Sequence, residues 1–223
     1  MPEYSLQKLK TVNIDEEGGR PELGTDIYGY LEVRWPDDRT WHAISSMPKL
    51  LCVLGIPDRD YDAWGCLFGV RNRTGLQPLA ASRGIPTDAS IFVHQEFSPP
   101  EERSPGYHSP TWADLAEIDR MDYDEEIPRL SLAVPSIPNR RVQYLPASRP
   151  PGIADATWKA LEQGEEADVA NFPGFSVDVR LRMVSLTRGV AVSNYLPLFA
   201  VMRSMIDSCG GKENVRLVVW FDD

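Results

Sequence analysis

The chain has 223 residues, a formal charge of −10, 42% hydrophobic and 25% charged residues. That is the balance of an ordinary globular protein with enough chain for a sizeable core. The acidic charge argues against a sequence-independent grip on nucleic-acid phosphates, so no nucleic-acid partner is expected.

Residues 1–23 are polar, with Asp15-Glu16-Glu17-Gly18-Gly19 as a turn, and read as an N-terminal extension. The start, Met1-Pro2-Glu3-Tyr4-Ser5, has no basic region followed by an apolar run, so no secretory signal is expected. No apolar run approaches the roughly 20 residues that span a bilayer. The three cysteines, Cys52, Cys66 and Cys209, are odd in number and far apart, which speaks for a reducing compartment rather than a disulfide framework. A cytoplasmic protein without a membrane partner is expected.

Residues 26–35 alternate: Ile27, Leu31, Val33 and Trp35 on one face, Tyr28, Tyr30, Glu32 and Arg34 on the other. That predicts a half-buried strand. Pro36-Asp37-Asp38 is a turn, and residues 40–44 are its expected hairpin partner. A short apolar run covers 50–56, and a helix is expected from about 60 to 70, with Asp58 or Asp60 as N-cap. Gly65 and Gly69 fall inside that helix and suggest close packing of a neighbour. Residues 78–88 and 98–106 read as loops, and 91–96 as a short strand or helix. Ser109-Pro110 matches a helix start, with Ser109 as N-cap and Pro110 in the first turn.

Residues 121–152 predict an irregular, proline-rich excursion. A short helix is expected at 154–163, then a long antiparallel strand at 175–188 with Arg180 and Arg182 on its polar face. Pro197 opens a helix closed by Gly210-Gly211. Residues 214–222 are apolar on both faces, so they should form a central strand paired with the first strand or with the strand at 175–188. The order predicts one α+β domain over residues 24–223, a mostly antiparallel sheet with helices packed on one face and long irregular loops.

Several segments, in order, resemble a family of uncharacterised proteins of tailed bacteriophages and prophages. Gly24-Thr25-Asp26-Ile27-Tyr28-Gly29 is similar to the family's Met-Gly-Cys/Thr-Asp-Ile-His opening. Residues 59–72 resemble its Arg-Asn-Tyr … Leu-Phe-Ala … Val-Arg-Asn helix, and residues 81–90 its Pro-Arg-Gly-Leu-Pro-Asp-Asp-Val-Ser loop. His108-Ser109-Pro110-Thr111-Trp112 is similar to its His-Ser-His-Ser-Trp motif, and residues 215–222 to its terminal strand. The chain departs at Tyr28 and at Pro110, where the family carries histidines. The resemblance implies a phage or prophage setting and no established reaction.

Of the family's Asp and His set only Asp26 and His108 remain, and two ligands do not make a zinc site, so no metal or cofactor is expected. As a pair they are candidates for general acid-base work; the alternative is that Asp26 caps a turn and His108 bonds at a helix start. Arg83, on a proline-bounded loop, and Arg71 are candidates to hold an anion bidentately. Ser109 would open a helix N-terminus toward the same anion, with Tyr28, Tyr30 and Trp112 as stacking surfaces. The alternative is that both arginines lock loops by bonding backbone carbonyls and nearby Asp side chains.

The leading expectation is a phage or prophage accessory protein that binds a small anionic, nucleotide-like ligand and sequesters a host anti-phage defence signal. A small-molecule hydrolase using Asp26 and His108 is one alternative. A module whose acidic surface and 121–152 excursion bind a host protein is another. Apolar positions on the strand at 175–188 or the helix after Pro197 are candidates for a homo-oligomer contact.

Overall fold

The computed structural model describes residues 24–72, 74–97, 106–133, 143–146, 149–172 and 177–223. In chain order the elements are β1 (Asp26–Val33), β2 (His42–Ser46), α1 (Met47–Leu54), α2 (Tyr61–Phe68), α3 (Ile91–Glu96), β3 (Tyr107–Asp114), α4 (Leu115–Asp119), β4 (Glu126–Ala133) and β5 (Gln143–Pro146). They continue with α5 (Asp155–Glu162), β6 (Glu166–Val169), β7 (Val179–Thr187), α6 (Arg188–Ala191), α7 (Leu196–Ser204), α8 (Ile206–Cys209) and β8 (Val215–Asp222). The fold is α+β, and its strands divide into two four-stranded antiparallel sheets.

The first sheet has the order β2-β1-β8-β3. β8 lies between β1 and β3, and seven of its eight residues are buried, as its two-sided apolar pattern requires. Val215, Leu217, Val219 and Phe221 pack with Ile27, Leu31 and Val33 against the helices, where Trp64, Phe68, Leu115, Phe199 and Met202 fill the main core. The opposite face carries Val218 and Trp220, covered by Val93 of α3 and ringed by Tyr28, Tyr30, Phe97, Tyr107 and Trp112. Gly29 has φ +126, and a Cβ there would lie 2.0 Å from the Val218 carbonyl oxygen, so only glycine lets β1 approach β8 at that register.

A buried ion pair also lies on that opposite face. Glu32 is wholly buried; its Oε1 accepts from the Ser90 backbone N–H at 2.7 Å and its Oε2 from Arg216 Nε at 2.9 Å. Arg216 Nη1 donates to Asp88 Oδ1 at 3.0 Å, and its guanidinium carbon sits 3.7 Å from the centre of the Trp41 ring. Trp41 Nε1 donates to the other Asp88 oxygen at 3.0 Å. Burying unlike charges is tolerated only where each oxygen and proton finds a partner, and the carboxylate meets that condition.

The second sheet has the order β5-β4-β7-β6 and a separate core of Leu130, Leu132, Ile153, Leu161, Phe172, Val179 and Leu181. It joins the first core through Leu186 and Ile127. Buried Arg188 reinforces the junction by bonding the Glu125 carboxylate and Cys66 Sγ.

Three local expectations are corrected. Ser109 and Pro110 lie in strand β3, not at a helix start. β3 is an edge of the sheet, where the proline's missing N–H is tolerated, and a bulge between His108 and Thr111 absorbs it with Ser109 at φ 49. The helix begins later, at α4, where Asp114 and Glu117 form a capping box. Gly69 ends α2 as its left-handed C-cap rather than lying inside it, while Gly65 does face a close neighbour, since a Cβ there would stand 2.7 Å from Asn72 Cα. Residues 121–152 hold β4 and β5, and the pairing of β4 with β7 on one side and β5 on the other outweighs their prolines. The apolar run at 50–56 lies mostly in α1, capped by Gly55 at φ 66. The N-terminal extension, Arg73, most of the loop at 98–106 and Phe175 lie outside the described residues.

Substituting Glu32→Gln keeps the shape but leaves Arg216 short of a charge partner inside the fold. Urea unfolding should show a loss of about 3 kcal/mol, the scale of a broken buried pair. A loss under about 1 kcal/mol, the scale of an exposed pair, would show that Asp88 and Trp41 hold the guanidinium by themselves.

Candidate functional site

Three separate segments converge at the end of the first sheet. Thr25, just before β1, donates its hydroxyl to Asp223 Oδ1 at 2.6 Å. Arg71, just after α2, donates from Nε to Thr25 Oγ1 at 2.8 Å and from Nη2 to Asp223 Oδ1 at 3.1 Å. His108, at the start of β3, brings Nε2 to 3.4 Å from Asp223 Oδ2. That nitrogen is buried and lacks hydrogen-bond geometry to any acceptor. Ser109 Oγ lies 2.9 Å from His108 Nδ1 and steadies the other side of the ring. The outcome is a cradle of a guanidinium, a hydroxyl and an imidazole around one carboxylate, and the Asp223 side chain inside it is 48% exposed.

The backbone around the cradle is strained. Arg71 and Ser109 both have φ 49, two of the four described non-glycine residues with positive φ. Such strain persists only where the surroundings hold it, and it concentrates at sites that act on a ligand. Burial acts to raise the Asp223 pKa, but the bonds from Thr25 and Arg71 and the charge of His108 outweigh it and hold the carboxyl below its ordinary value.

The sequence candidates separate into three groups. Arg71, His108 and Ser109 meet at the cradle. Tyr28 and Tyr30 lie on the opposite face, where Tyr28 packs 5.5 Å from the Tyr107 ring and Tyr30 6.4 Å from the Trp220 ring. The Tyr30 hydroxyl donates to Glu96 Oε2 at 2.5 Å; burial and that bond push its pKa up to about 12. Arg83 and Trp112 form a third group. Arg83 bonds the carbonyls of Leu79 and Trp112 and the Glu117 carboxylate, with its guanidinium carbon 5.1 Å from the centre of the Trp112 ring. Arg83 is therefore engaged in holding its loop. No helix N-terminus stands at Ser109, so no helix dipole faces an anion there.

Asp26 and His108 are not brought together. Asp26 pairs with Asp222 and His108 with Phe221 in the register of β8, so the two side chains point to opposite faces of the sheet. Asp26 Oδ1 accepts from Arg59 Nε at 2.9 Å instead. Among the described residues no group of three or more His, Cys, Asp or Glu is arranged to hold a metal ion. None of their helices is long and apolar enough to cross a membrane.

Sequence reasoning missed Thr25 and Asp223 as members of the site. Thr25 was visible only as part of the Gly-Thr-Asp motif, and Asp223 meets it across 198 residues of sequence, a contact no local pattern carries. No family model, curated protein or solved structure matches the chain.

Asp223 has a depressed folded pKa, so its contribution to stability is complete above the unfolded carboxyl value of about 3.9. It is lost as pH falls through the lower folded value. A carbon-13 NMR titration should place the Asp223 midpoint below that of an ordinary aspartate, and Arg71→Met should move it back up. An ordinary midpoint in the unsubstituted protein would mean that the cradle does not hold the carboxylate in solution.

Proposed function

We propose that the protein binds a small anionic ligand, with Thr25, Arg71 and His108 holding its oxyanion in the place that the Asp223 carboxylate occupies. One observation carries this reading: three donors from three distant segments converge on a single, half-exposed carboxylate. Arg71 supplies charge and direction, the Thr25 hydroxyl a short bond, and the His108 imidazole a buried nitrogen that lacks a hydrogen-bond partner. A ligand phosphate offers more acceptor oxygens than a carboxylate and suits the same donors better. Asp223 then acts as an exchangeable occupant.

The phage or prophage setting implied by the resemblance makes sequestration of a nucleotide-like host signal in the host cytoplasm the fitting biological role. A base stacked on Tyr28 would have to reach around the sheet's end, because the tyrosine lies on the face opposite His108. The ligand is thus better described by its phosphate than by its ring. The separation of Asp26 from His108 gives the hydrolase reading no support.

The test begins by denaturing the purified protein and identifying released small molecules by mass spectrometry. Calorimetric titration with nucleoside monophosphates follows. Asp223→Ala should tighten binding by freeing the cradle. Arg71→Met should weaken it at least tenfold, equivalent to about 1.4 kcal/mol, with His108→Gln as a milder second variant. A protein that releases nothing, and that binds no nucleotide even as Asp223→Ala, would refute the reading.

A further inference from the structure

Five described arginines satisfy the parallel pair formed by Nε and Nη2 with one partner residue, while Arg216 leaves its Nη2 alone unpartnered. Arg34 places that edge on Asn214, Arg149 on the Ile153 carbonyl, Arg180 on Asp168, Arg188 on Glu125 and Arg203 on Asp119. Arg129, on β4, is different. It is only 6% exposed, and both Nε and Nη2 are buried with no hydrogen-bond partner. Among the described residues no carboxylate stands within ion-pair distance of it. Asp62 acts on it through charge alone, against a burial effect that lowers its pKa.

A buried cation with two unused parallel donors is a costly arrangement unless something fills it. Polar hydrogens on adjacent nitrogens of one planar group point the same way, and the group that matches them is the two-oxygen edge of a carboxylate or phosphate. Hydrophobic replacements would serve the packing better if the site were only structural. The fork lies under the loop after α2. Gly75 is itself exposed and at φ +71, and a Cβ there would stand 2.9 Å from Arg129 Nη2 and 3.6 Å from Ile127 Cδ1. Any side chain at that position would press on the guanidinium.

We infer that Arg129 is the floor of a second anion site, at the junction of the two sheets, which takes a small oxyanion bidentately on its Nε and Nη2 edge beneath Gly75. The site is separate from the cradle at Asp223 and does not rest on that reading. Its location on β4, next to Ile127 of the shared core, means that filling it also ties the second sheet to the first.

The experiment uses inorganic phosphate at constant ionic strength. The arginine Nε–Hε resonances are followed by nitrogen-15 NMR, and the Arg129 signal is assigned by its absence in Arg129→Lys. The Arg129 resonance should shift downfield and saturate with phosphate, equally in the unsubstituted protein and in Arg71→Met, which disables the cradle alone. The thermal midpoint should rise with phosphate in the unsubstituted protein. Arg129→Met should be more stable than the unsubstituted protein without phosphate and should not respond to it. Arg129→Lys should weaken the phosphate response at least tenfold, because a lysine keeps the charge and loses the fork. An Arg129 resonance that does not move, or one already downfield without phosphate because water or the protein fills the fork, would overturn the inference. So would a phosphate response that vanishes in Arg71→Met.

Discussion

The contact between Glu32 and Arg216 sets the architecture of the first sheet's open face. Two adjacent strands meet there through opposite charges, and both side chains are almost wholly buried. The pair also reaches outward: Glu32 accepts from the Ser90 backbone and Arg216 donates to Asp88, so the segment that crosses the sheet is fastened at two points. That fastening matters because α3 has only six residues, too few to be stable in isolation. Its exposed Ile91 and Phe92 give it little grip of their own. The Tyr30–Glu96 bond fixes the other end of the helix. Charge and aromatic packing therefore do on this face what a broad helical layer does on the other.

The two faces consequently differ in what they can offer a ligand. The helical face ends in the Thr25, Arg71, His108 and Asp223 cluster, which is polar and partly open. The other face ends in a packed set of rings, Tyr28, Tyr107, Phe97 and Trp220, with centroids 5.5 to 6.3 Å apart. Such distances are those of ordinary aromatic packing, and the rings use one another as partners. The aromatic candidates and the polar cluster, which look adjacent along the sequence, are divided by the thickness of a sheet.

Period and punctuation made much of the fold legible. The alternation in β1, the two-sided apolarity of β8 and the Asp60 cap of α2 all carry local signals that the tertiary structure agrees with. The Ser109-Pro110 pair is the instructive failure. A helix cap is worth about 1 kcal/mol, while pairing along β8 with burial of Thr111 and Ala113 involves many contacts at once. Of the second sheet only β7 carries a clear alternation; Pro128 and Pro146 hide β4 and β5, and β6 has only four residues. At the site, Arg71 and His108 could be picked out because few residue types bind anions. Their partners could not, since only the finished sheet brings Thr25 to Asp223. Arg129 gave no signal at all, because an unpaired guanidinium looks the same in sequence as a paired one.

The position of β8 bears on how the chain comes off the ribosome. The central strand of the first sheet is made of residues 215–222, while its neighbour β1 begins at residue 26. Until those late residues emerge, β1 and β3 have no strand between them, and Ile27 and Leu31 lack their main cover. The second sheet needs only residues 126–187 and can pair beforehand. Contacts this distant in sequence slow folding, and a waiting strand exposes its edge. Synthesis therefore leaves the β1–β2 hairpin as the segment most in need of a chaperone, and a nascent chain stalled before residue 215 should be the form most prone to aggregate.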